Sequence, residues 1–439
     1  MARVQQSLFG WQEVESLGEL ERLRLVLSYL PDEQLMQALE RERGQGRDDY
    51  PVRAVWNSVL AGIIYQHPSI ESLRRELLRN GQLRQRCGFD PLRGTEAVPP
   101  SWVYTRFLKN LLAHAALVDA MFDELVRELR AELPDLGRTL AIDGKALASH
   151  ARPRGKDAPQ LKRDGRRDLD ADFGCKKKKE TGADGTVYER VTKWFGYKLH
   201  LVVDTRYELP VGYTVRRASA AEAPVAHELL EALAARQPEL LAATEYWLGD
   251  RGYDDGKMVE KLWDRRAIKP VIDIRDLWKD GEQTRRVSHL ANVVYNYRGE
   301  VFCYPAKGKP HRMAFGGFEA KRETLKYRCP AGQYGLECPN QGKCAVKGAV
   351  RIALAEDRRV FTPLARSSHA WRRVYAQRTA VERVNSRLDV SFGFERHFIR
   401  GLGKMRLRMG LALVVMLAMA LGRVKEKQQE KMRSLVQAA

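Results

Sequence analysis

The sequence predicts an α/β fold in which helices pack on a mixed sheet. Between residues 138 and 274, short apolar strands alternate with helical stretches in the order strand, two strands, helix, strand, helix, strand. Before residue 138, apolar residues recur at helical spacing. After residue 274 the alternation of strands and helices ends in a stretch rich in glycine, proline and tyrosine. We therefore expect a sheet-centred core, preceded by an all-helical domain and interrupted by a strand-rich insertion.

Composition indicates a globular protein that acts on a polyanion. The chain has 439 residues, 44% of them hydrophobic, which suits two or three domains. Its 76 lysines and arginines exceed its 56 acids, and the formal net charge of +20 favours nucleic acid as the partner. A basic surface that is merely solvated is the alternative.

The sequence also predicts a cytoplasmic protein with no membrane partner. Met1–Leu30 lacks the continuous apolar segment of a secretory signal. The most apolar stretch, Gly410–Leu421, is shorter than the ~20 residues that cross a bilayer, and we interpret it as a buried helix. Six cysteines in so long a chain do not predict a disulfide framework, which agrees with a reducing cytosol.

Residues 1–130 are predicted to form a helical DNA-binding domain. Ser69 is placed to cap a helix that Asn80-Gly81 would end, and Pro99-Pro100-Ser101 starts another. Short helices with sharp turns are typical of helix-turn-helix modules, whose arginines lie against phosphates. A helical bundle with ordinary charged faces is the alternative.

Residues 138–274 are predicted to form the first part of the core. Apolar segments there are short and bounded by turn residues, which is typical of buried strands. The expected strands are Thr139–Gly144, Lys193–Asp204, Leu209–Arg216, Thr244–Asp250 and Lys269–Ile274. Helices are expected between the third and fourth strands and between the fourth and fifth.

A basic segment, residues 151–192, is predicted to be a long mobile loop that contacts the DNA backbone. Its basic residues include Arg152, Arg154, Lys156, Lys162, Arg163, Arg166 and Arg167. The run Lys176, Lys177, Lys178 and Lys179 is the strongest candidate for phosphate contact. A solvated tether is the alternative.

Residues 275–365 are predicted to be an inserted, strand-rich subdomain, and residues 366–430 the C-terminal helical part of the core. The insertion contains Cys303, Cys329, Cys338 and Cys344. Four thiolates suit a tetrahedral structural Zn²⁺ site. Their spacing lacks a C-x-x-C pair, so four ordinary reduced cysteines are the alternative.

Three acids of the core are candidates for a shared metal site. Asp143 and Asp250 each end a short apolar strand, and Glu382 lies on an arginine-rich helix. Phosphodiester cleavage needs an activated water or 3′-hydroxyl and neutralised phosphate oxygens, which two Mg²⁺ ions supply. Such hard cations prefer carboxylate ligands.

Other acids compete with these three. Asp204 also ends a strand, but it precedes a tight turn, which favours a turn-capping role. Asp254 and Asp255 follow a glycine and a tyrosine and are expected to cap the next helix. Chemistry alone does not choose Asp143 from this group.

Four segments together resemble the DDE transposases of bacterial insertion sequences. They are Ala141–Lys145 (AIDGK), Gly196–His200 (GYKLH), Gly249–Tyr253 (GDRGY) and the helical pattern Tyr375-x-x-Arg378-x-x-x-Glu382. The resemblance covers Arg138 to Gly422 and points to the group with a tyrosine, arginine, glutamate, lysine signature. It implies an RNase H-like fold, with the acids on the first strand, after the fourth strand and on a late helix.

The resemblance also implies roles for individual residues. Asp143 and Asp250 would bind the metals, Mg²⁺ or Mn²⁺ in its place, and Glu382 would complete the site. Tyr375 and Arg378 would contact the DNA backbone at the transposon end. An ion pair of Arg378 with Glu382, four residues later on the helix, is the alternative for this arginine.

One position departs from the family signature. The signature's lysine should fall seven residues after Glu382, where this sequence has Asp389. The phosphate contact of that lysine is therefore unassigned, with Arg387 as a candidate substitute. Arg251, directly after Asp250, is a further candidate for DNA contact.

The sequence thus predicts a nucleoid-associated transposase. We expect it to bind double-stranded DNA, both its transposon ends and its target, as a homodimer. No Gly-rich phosphate loop is evident, so no nucleotide cofactor is expected. The alternatives are a nuclease, or a DNA-binding protein without catalysis, derived from such an enzyme.

Overall fold

The computed structural model describes residues 20–44, 48–151, 168–181, 186–340, 344, 346 and 348–433. The α-helices in these ranges are α1 Leu20–Tyr29, α2 Glu33–Arg43, α3 Val52–Ile64, α4 Ile70–Arg79, α5 Gly81–Cys87, α6 Ser101–Ala113, α7 Ala115–Glu132, α8 Glu222–Arg236, α9 Pro238–Ala242, α10 Gly256–Arg266, α11 Pro330–Tyr334, α12 His369–Tyr375, α13 Thr379–Phe392 and α14 Leu402–Lys425.

The strands in the same ranges fall into three sheets. They are β1 Thr139–Ala148, β2 Asp172–Thr181, β3 Val187–Asp204, β4 Leu209–Arg217, β5 Tyr246–Gly249, β6 Lys269–Ile272, β7 Arg285–Arg286, β8 Val293–Tyr295, β9 Val301–Cys303, β10 His311–Arg312, β11 Ala314–Glu319, β12 Thr324–Arg328 and β13 Ala349–Ala353.

The central sheet has the order β4-β3-β1-β5-β6, with β2 added along the first half of β3. β1, β5 and β6 run parallel, and β3 runs antiparallel to both β1 and β4. This order with a single reversed strand is that of an RNase H-like sheet. The fold class predicted from the sequence is therefore confirmed, including the helices before the sheet and the strand-rich region after it.

Helices cover both faces of this sheet. Gly212 of β4 faces Leu233 of α8, whereas its neighbour Tyr213 lies against Gly410 of α14. Because successive residues of a strand point to opposite faces, α8 and α14 lie on opposite sides. The register pairs Tyr213 with Leu201 and Leu201 with Asp143, so Asp143 faces the α14 side.

Helix α14 is the central element of the largest hydrophobic core. It packs against α1, α3, α7 and β4, so the helices before the sheet share one core with the sheet itself. The predicted buried helix at Gly410–Leu421 is confirmed. Leu402–Lys425 is long and apolar enough to cross a membrane by composition, but 89% of its most apolar window is buried inside the protein.

The strand-rich segment has a second core of its own. Its sheets have the orders β10-β9-β8-β7 and β11-β12-β13, and its buried residues run from Ile274 to Ala365. Tyr295 packs against Phe361 with ring centroids 4.9 Å apart. This aromatic pair packs among buried residues that are mostly aliphatic.

The predicted loop at residues 151–192 is wrong for its second half. β2 pairs with residues 187–196 of β3 and forms a two-stranded ribbon. Cross-strand contacts explain this: Lys177 pairs with Glu189 (3.0 Å), and the Phe173 and Phe195 rings lie 5.3 Å apart. The basic residues from Arg152 to Arg167 lie outside the described residues.

Candidate active site

The parallel pairing of β1 with β5 brings two of the predicted acids together. The last register pair joins Ala141 to Leu248. Asp143 and Asp250 each follow two residues later, so both stand just past the paired part of the strands. Asp143 continues along β1, whereas the chain turns away after Gly249, which leaves space beside Asp143 for Asp250.

A backbone amide holds each of these carboxylates. Gly144 N–H donates to Asp143 Oδ1 (2.8 Å), and Gly252 N–H donates to Asp250 Oδ1 (2.8 Å). At Gly252 a Cβ atom would run into the carboxylate of Glu222, so a larger residue there would displace that side chain. The glycines of the two motifs thus orient the acids.

The electrostatics of the pair are unfavourable without a cation. Only 13% of the Asp143 side chain is exposed. Burial, and secondly the charge of Asp250, raise the pKa of Asp143 to about 6. Two carboxylates held so close need a positive partner in order to be ionised together.

Arg378 provides one positive partner and links the third acid to the pair. Its Nη2 lies 2.9 Å from Glu382 Oε1, and its Nη1 lies 3.5 Å from Asp143 Oδ2. Glu382, in the first turn of α13, has 54% of its side chain exposed. The predicted pairing of Arg378 with Glu382 is therefore present, and the same guanidinium reaches Asp143.

The donor set at this point suits a divalent cation of the hard class. Asp143, Asp250 and Glu382 offer carboxylate oxygens, and the mutual repulsion of the first two would be relieved by a bound ion. Within the described ranges, no three histidine, cysteine, aspartate or glutamate side chains stand close enough together to hold a metal. Glu382 Oε1 is paired with Arg378 instead.

The remaining residues predicted to bind DNA lie in different surroundings. Tyr375 is half-buried, stacks on Trp371 (4.6 Å) and lies under Arg378 (5.8 Å to the ring centre). Arg251 is exposed and pairs with Asp273 (2.5 Å). These contacts place Tyr375 beside the carboxylates and Arg251 at their rim.

Arg387 and the lysine run differ in accessibility. Arg387 pairs with Glu208 (2.6 Å) and has 12% of its side chain exposed, so its charge is already matched inside the protein. Lys176 and Lys177 are exposed on the ribbon, and the charge of Lys176 helps to lower the pKa of Asp143. Lys178 and Lys179 belong to β2.

The competing acids have structural roles. Asp204 is buried and accepts hydrogen bonds from the amides of Gly137, Arg206 and Tyr207 at 2.7 to 3.0 Å, which confirms turn capping. Asp255 caps α10, as predicted. The same prediction is wrong for Asp254, which is buried and pairs with Arg359 (2.8 Å).

Sequence reasoning gave no role to Lys198 and missed Glu222. Glu222, at the start of α8, lies against Gly252 and pairs with Lys198 Nζ (3.3 Å). Burial, together with the charges of Asp143, Glu222 and Asp250, raises the pKa of the neighbouring Tyr253. An acid in the first turn of a helix is common for dipole reasons, so Glu222 carried no distinctive signal.

The four cysteines of the insertion lie in one region and are half-buried. Burial raises the pKa of the Cys303 thiol to about 11, and the thiols of Cys329, Cys338 and Cys344 add to this. Cys344 Sγ accepts a hydrogen bond from Asn292 (3.3 Å). Within the described residues, no three of these cysteines lie close enough together to hold a metal ion, so zinc binding stays a prediction.

Comparison with known proteins identifies the family to which the chain belongs. The family described as Transposase DDE domain matches residues 136–418, and the chain belongs to this family. No curated protein matches the chain. Among solved structures it is similar to the piggyBac transposase synaptic complex with hairpin DNA, determined by cryo-EM, with 11% identity, a TM-score of 0.39, and coverage of 95% of this chain and 79% of that chain.

The raised pKa of Asp143 predicts a stability that falls as pH rises. Because the pKa of Asp143 in the folded protein is above the ordinary value of about 3.9, ionisation of this side chain destabilises the folded state. This destabilisation is absent below about pH 4 and complete above about pH 6. In a chelator, Asp143→Asn should therefore be more stable than the wild type near pH 7, by roughly 3 kcal/mol.

Denaturation of both proteins across this pH range measures the difference in free energy of unfolding. The difference should vanish near about pH 4. Adding Mg²⁺ near pH 7 should stabilise the wild type more than the variant. Equal stability of the two proteins near neutral pH would contradict the stated cause of the shift.

Proposed function

We propose that this transposase binds the terminal repeats of its own insertion sequence, cleaves DNA strands there and joins them to target DNA. The observation that supports this most directly is that Asp143 and Asp250 both lie two residues past the last register pair of β1 with β5. A single guanidinium, that of Arg378, contacts both Glu382 and Asp143. Asp143 and Asp250 repel each other when both are ionised, and a bound cation would relieve this repulsion.

In the proposed mechanism the three acids hold divalent metal, with Mg²⁺ as the natural ion and Mn²⁺ as a substitute. When bound, the metal neutralises the phosphate oxygens and activates the attacking water or 3′-hydroxyl. Gly144 and Gly252 fix the aspartate oxygens through their amides. Arg378 supplies a positive charge to Asp143 and Glu382. If bound metal took over that role, the guanidinium would be available to a DNA phosphate.

We propose that two surfaces bind DNA: the basic ribbon of β2 with β3 and the residues around the carboxylates. The ribbon of β2 with β3 exposes Lys176 and Lys177, and further along it exposes Tyr188, which pairs with Glu180. Tyr375 and Arg251 lie around the carboxylates. The net charge of +20 favours such contacts along a polyanion. We further propose a homodimer on double-stranded DNA, in a protein of the bacterial cytoplasm that associates with the nucleoid.

The three acids are tested by neutral variants of similar shape. Asp143→Asn, Asp250→Asn and Glu382→Gln should each lower cleavage of a terminal-repeat duplex by roughly a hundredfold or more, because the metals lose a charged ligand. DNA binding should survive, since affinity comes mainly from basic surface. Cleavage is measured in Mg²⁺ and in Mn²⁺, with binding measured on the same preparations.

Asp204→Asn is the matched control for these variants. Asp204 also ends an apolar strand, but its carboxylate caps a turn, so this change should leave the cleavage rate of folded protein nearly intact. If an acid variant cuts at the wild-type rate, or if only Asp204→Asn is inactive, the proposed site is wrong.

The ribbon lysines are tested by the salt dependence of binding. Changing Lys176 and Lys177 to alanine should weaken binding to any sequence and flatten the slope of log K against log salt by about 0.9 for each lost contact. Lys307 and Lys309, two exposed lysines of the insertion, give a charge-matched control pair. Slopes that change equally in both pairs would show a general charge effect rather than a contact.

Zinc binding by Cys303, Cys329, Cys338 and Cys344 is tested separately. Four thiolates suit structural Zn²⁺, so protein purified without chelator should contain about one zinc per chain. Elemental analysis measures this, and changing Cys329 to serine should remove the metal. Zinc-free wild-type protein would exclude the site.

A further inference from the structure

Lys145 lies on the active-site face of β1 and is largely buried. It follows Asp143 by two residues, and because strand side chains alternate, both point to the same face of the sheet. Its ammonium pairs with Asp389 Oδ2 of α13, and 14% of its side chain is exposed. A lysine so well covered needs partners for its charge.

Asp389 lies on the same side of α13 as Glu382, a residue of the candidate active site. It lies seven residues, two helical turns, after Glu382, so the two acids occupy the same side of α13. Glu382 connects to Asp143 through Arg378, and Asp389 connects to Lys145 directly. The two bridges between α13 and β1 are therefore neighbours.

The pair leaves hydrogen-bonding capacity unused. A lysine ammonium has three N–H donors, and within the described chain Asp389 Oδ2 is the hydrogen-bond partner recorded for Lys145. Asp389 Oδ1 is buried and has no partner there. Lys198, by contrast, reaches both Glu222 and the Ala220 carbonyl. The remaining N–H donors of Lys145 are therefore available to water or to an oxygen of a bound ligand.

We propose that Lys145 binds a phosphate oxygen of the DNA strand at the active site and that Asp389 holds it in position. The inference rests on the proposed function. The family signature places a lysine at position 389, on the helix. In this chain the positive charge reaches the same place from the strand, and the helix residue has become its acceptor. Arg387, already matched by Glu208, is not needed for the contact.

The first experiment removes the charge alone. Lys145→Met should flatten the slope of log K against log salt by about 0.9, for binding without divalent metal to a duplex from the end of the element. Cleavage in Mg²⁺ should fall roughly tenfold to a hundredfold. Lys261→Met is the control, because Lys261 pairs with Glu231 of α8 on the opposite face of the sheet (3.0 Å). It should change neither quantity.

The second experiment exchanges the two charges. Lys145→Asp and Asp389→Lys should each impair cleavage alone, since like charges then face each other. Combined in one protein, they rebuild the pair with the lysine on the helix, and both the cleavage rate and the salt slope should return close to wild-type values. This variant also decides the matter if Lys145→Met does not fold.

Three outcomes overturn the inference. The first is an unchanged salt slope in folded Lys145→Met, whether or not its melting temperature falls, because the pair is then only a structural link. The second is wild-type cleavage by this variant. The third is a folded double variant that keeps the slope of Lys145→Met. If the wild type itself cuts no DNA, the proposed function fails, while the salt slope still tests Lys145.

Discussion

The parallel pairing of β1 with β5 is the constraint on which the candidate site depends. Three residue pairs, from Thr139 with Tyr246 to Ala141 with Leu248, set the register of two acids that are more than a hundred residues apart in sequence. A shift by one residue would turn Asp143 to the other face of the sheet. Burial of Leu140, Ile142 and Trp247 opposes such a shift, so the apolar core determines the position of the charges.

Around these acids, positive and negative side chains alternate. Arg378 stands between Asp143 and Glu382, Lys198 holds Glu222, and Asp389 holds Lys145. Carboxylates crowded in partly buried space would otherwise favour protonation over ionisation. Local pairing therefore places a positive side chain beside several of these acids, in a chain that is strongly basic as a whole.

Patterns of neighbouring residues in the sequence predicted the structural features that such neighbours determine. The central strands, the buried helix at Gly410–Leu421 and the turn role of Asp204 follow from apolar runs and turn residues. The ribbon of β2 was missed because four consecutive lysines have no apolar alternation, and its pairing comes from β3. The Lys145–Asp389 contact spans 244 positions, and no spacing rule reaches that far. Asp254 was misassigned because its partner, Arg359, lies in the insertion.

The late position of α14 in the chain bears on how the protein is made. Helices α1, α3 and α7 bury their apolar sides against this helix, which the ribosome synthesises some three hundred residues after them. Until it emerges, those surfaces have no partner and are open to aggregation or to chaperones. Nascent chains should therefore be unable to complete this core before α14 has been synthesised.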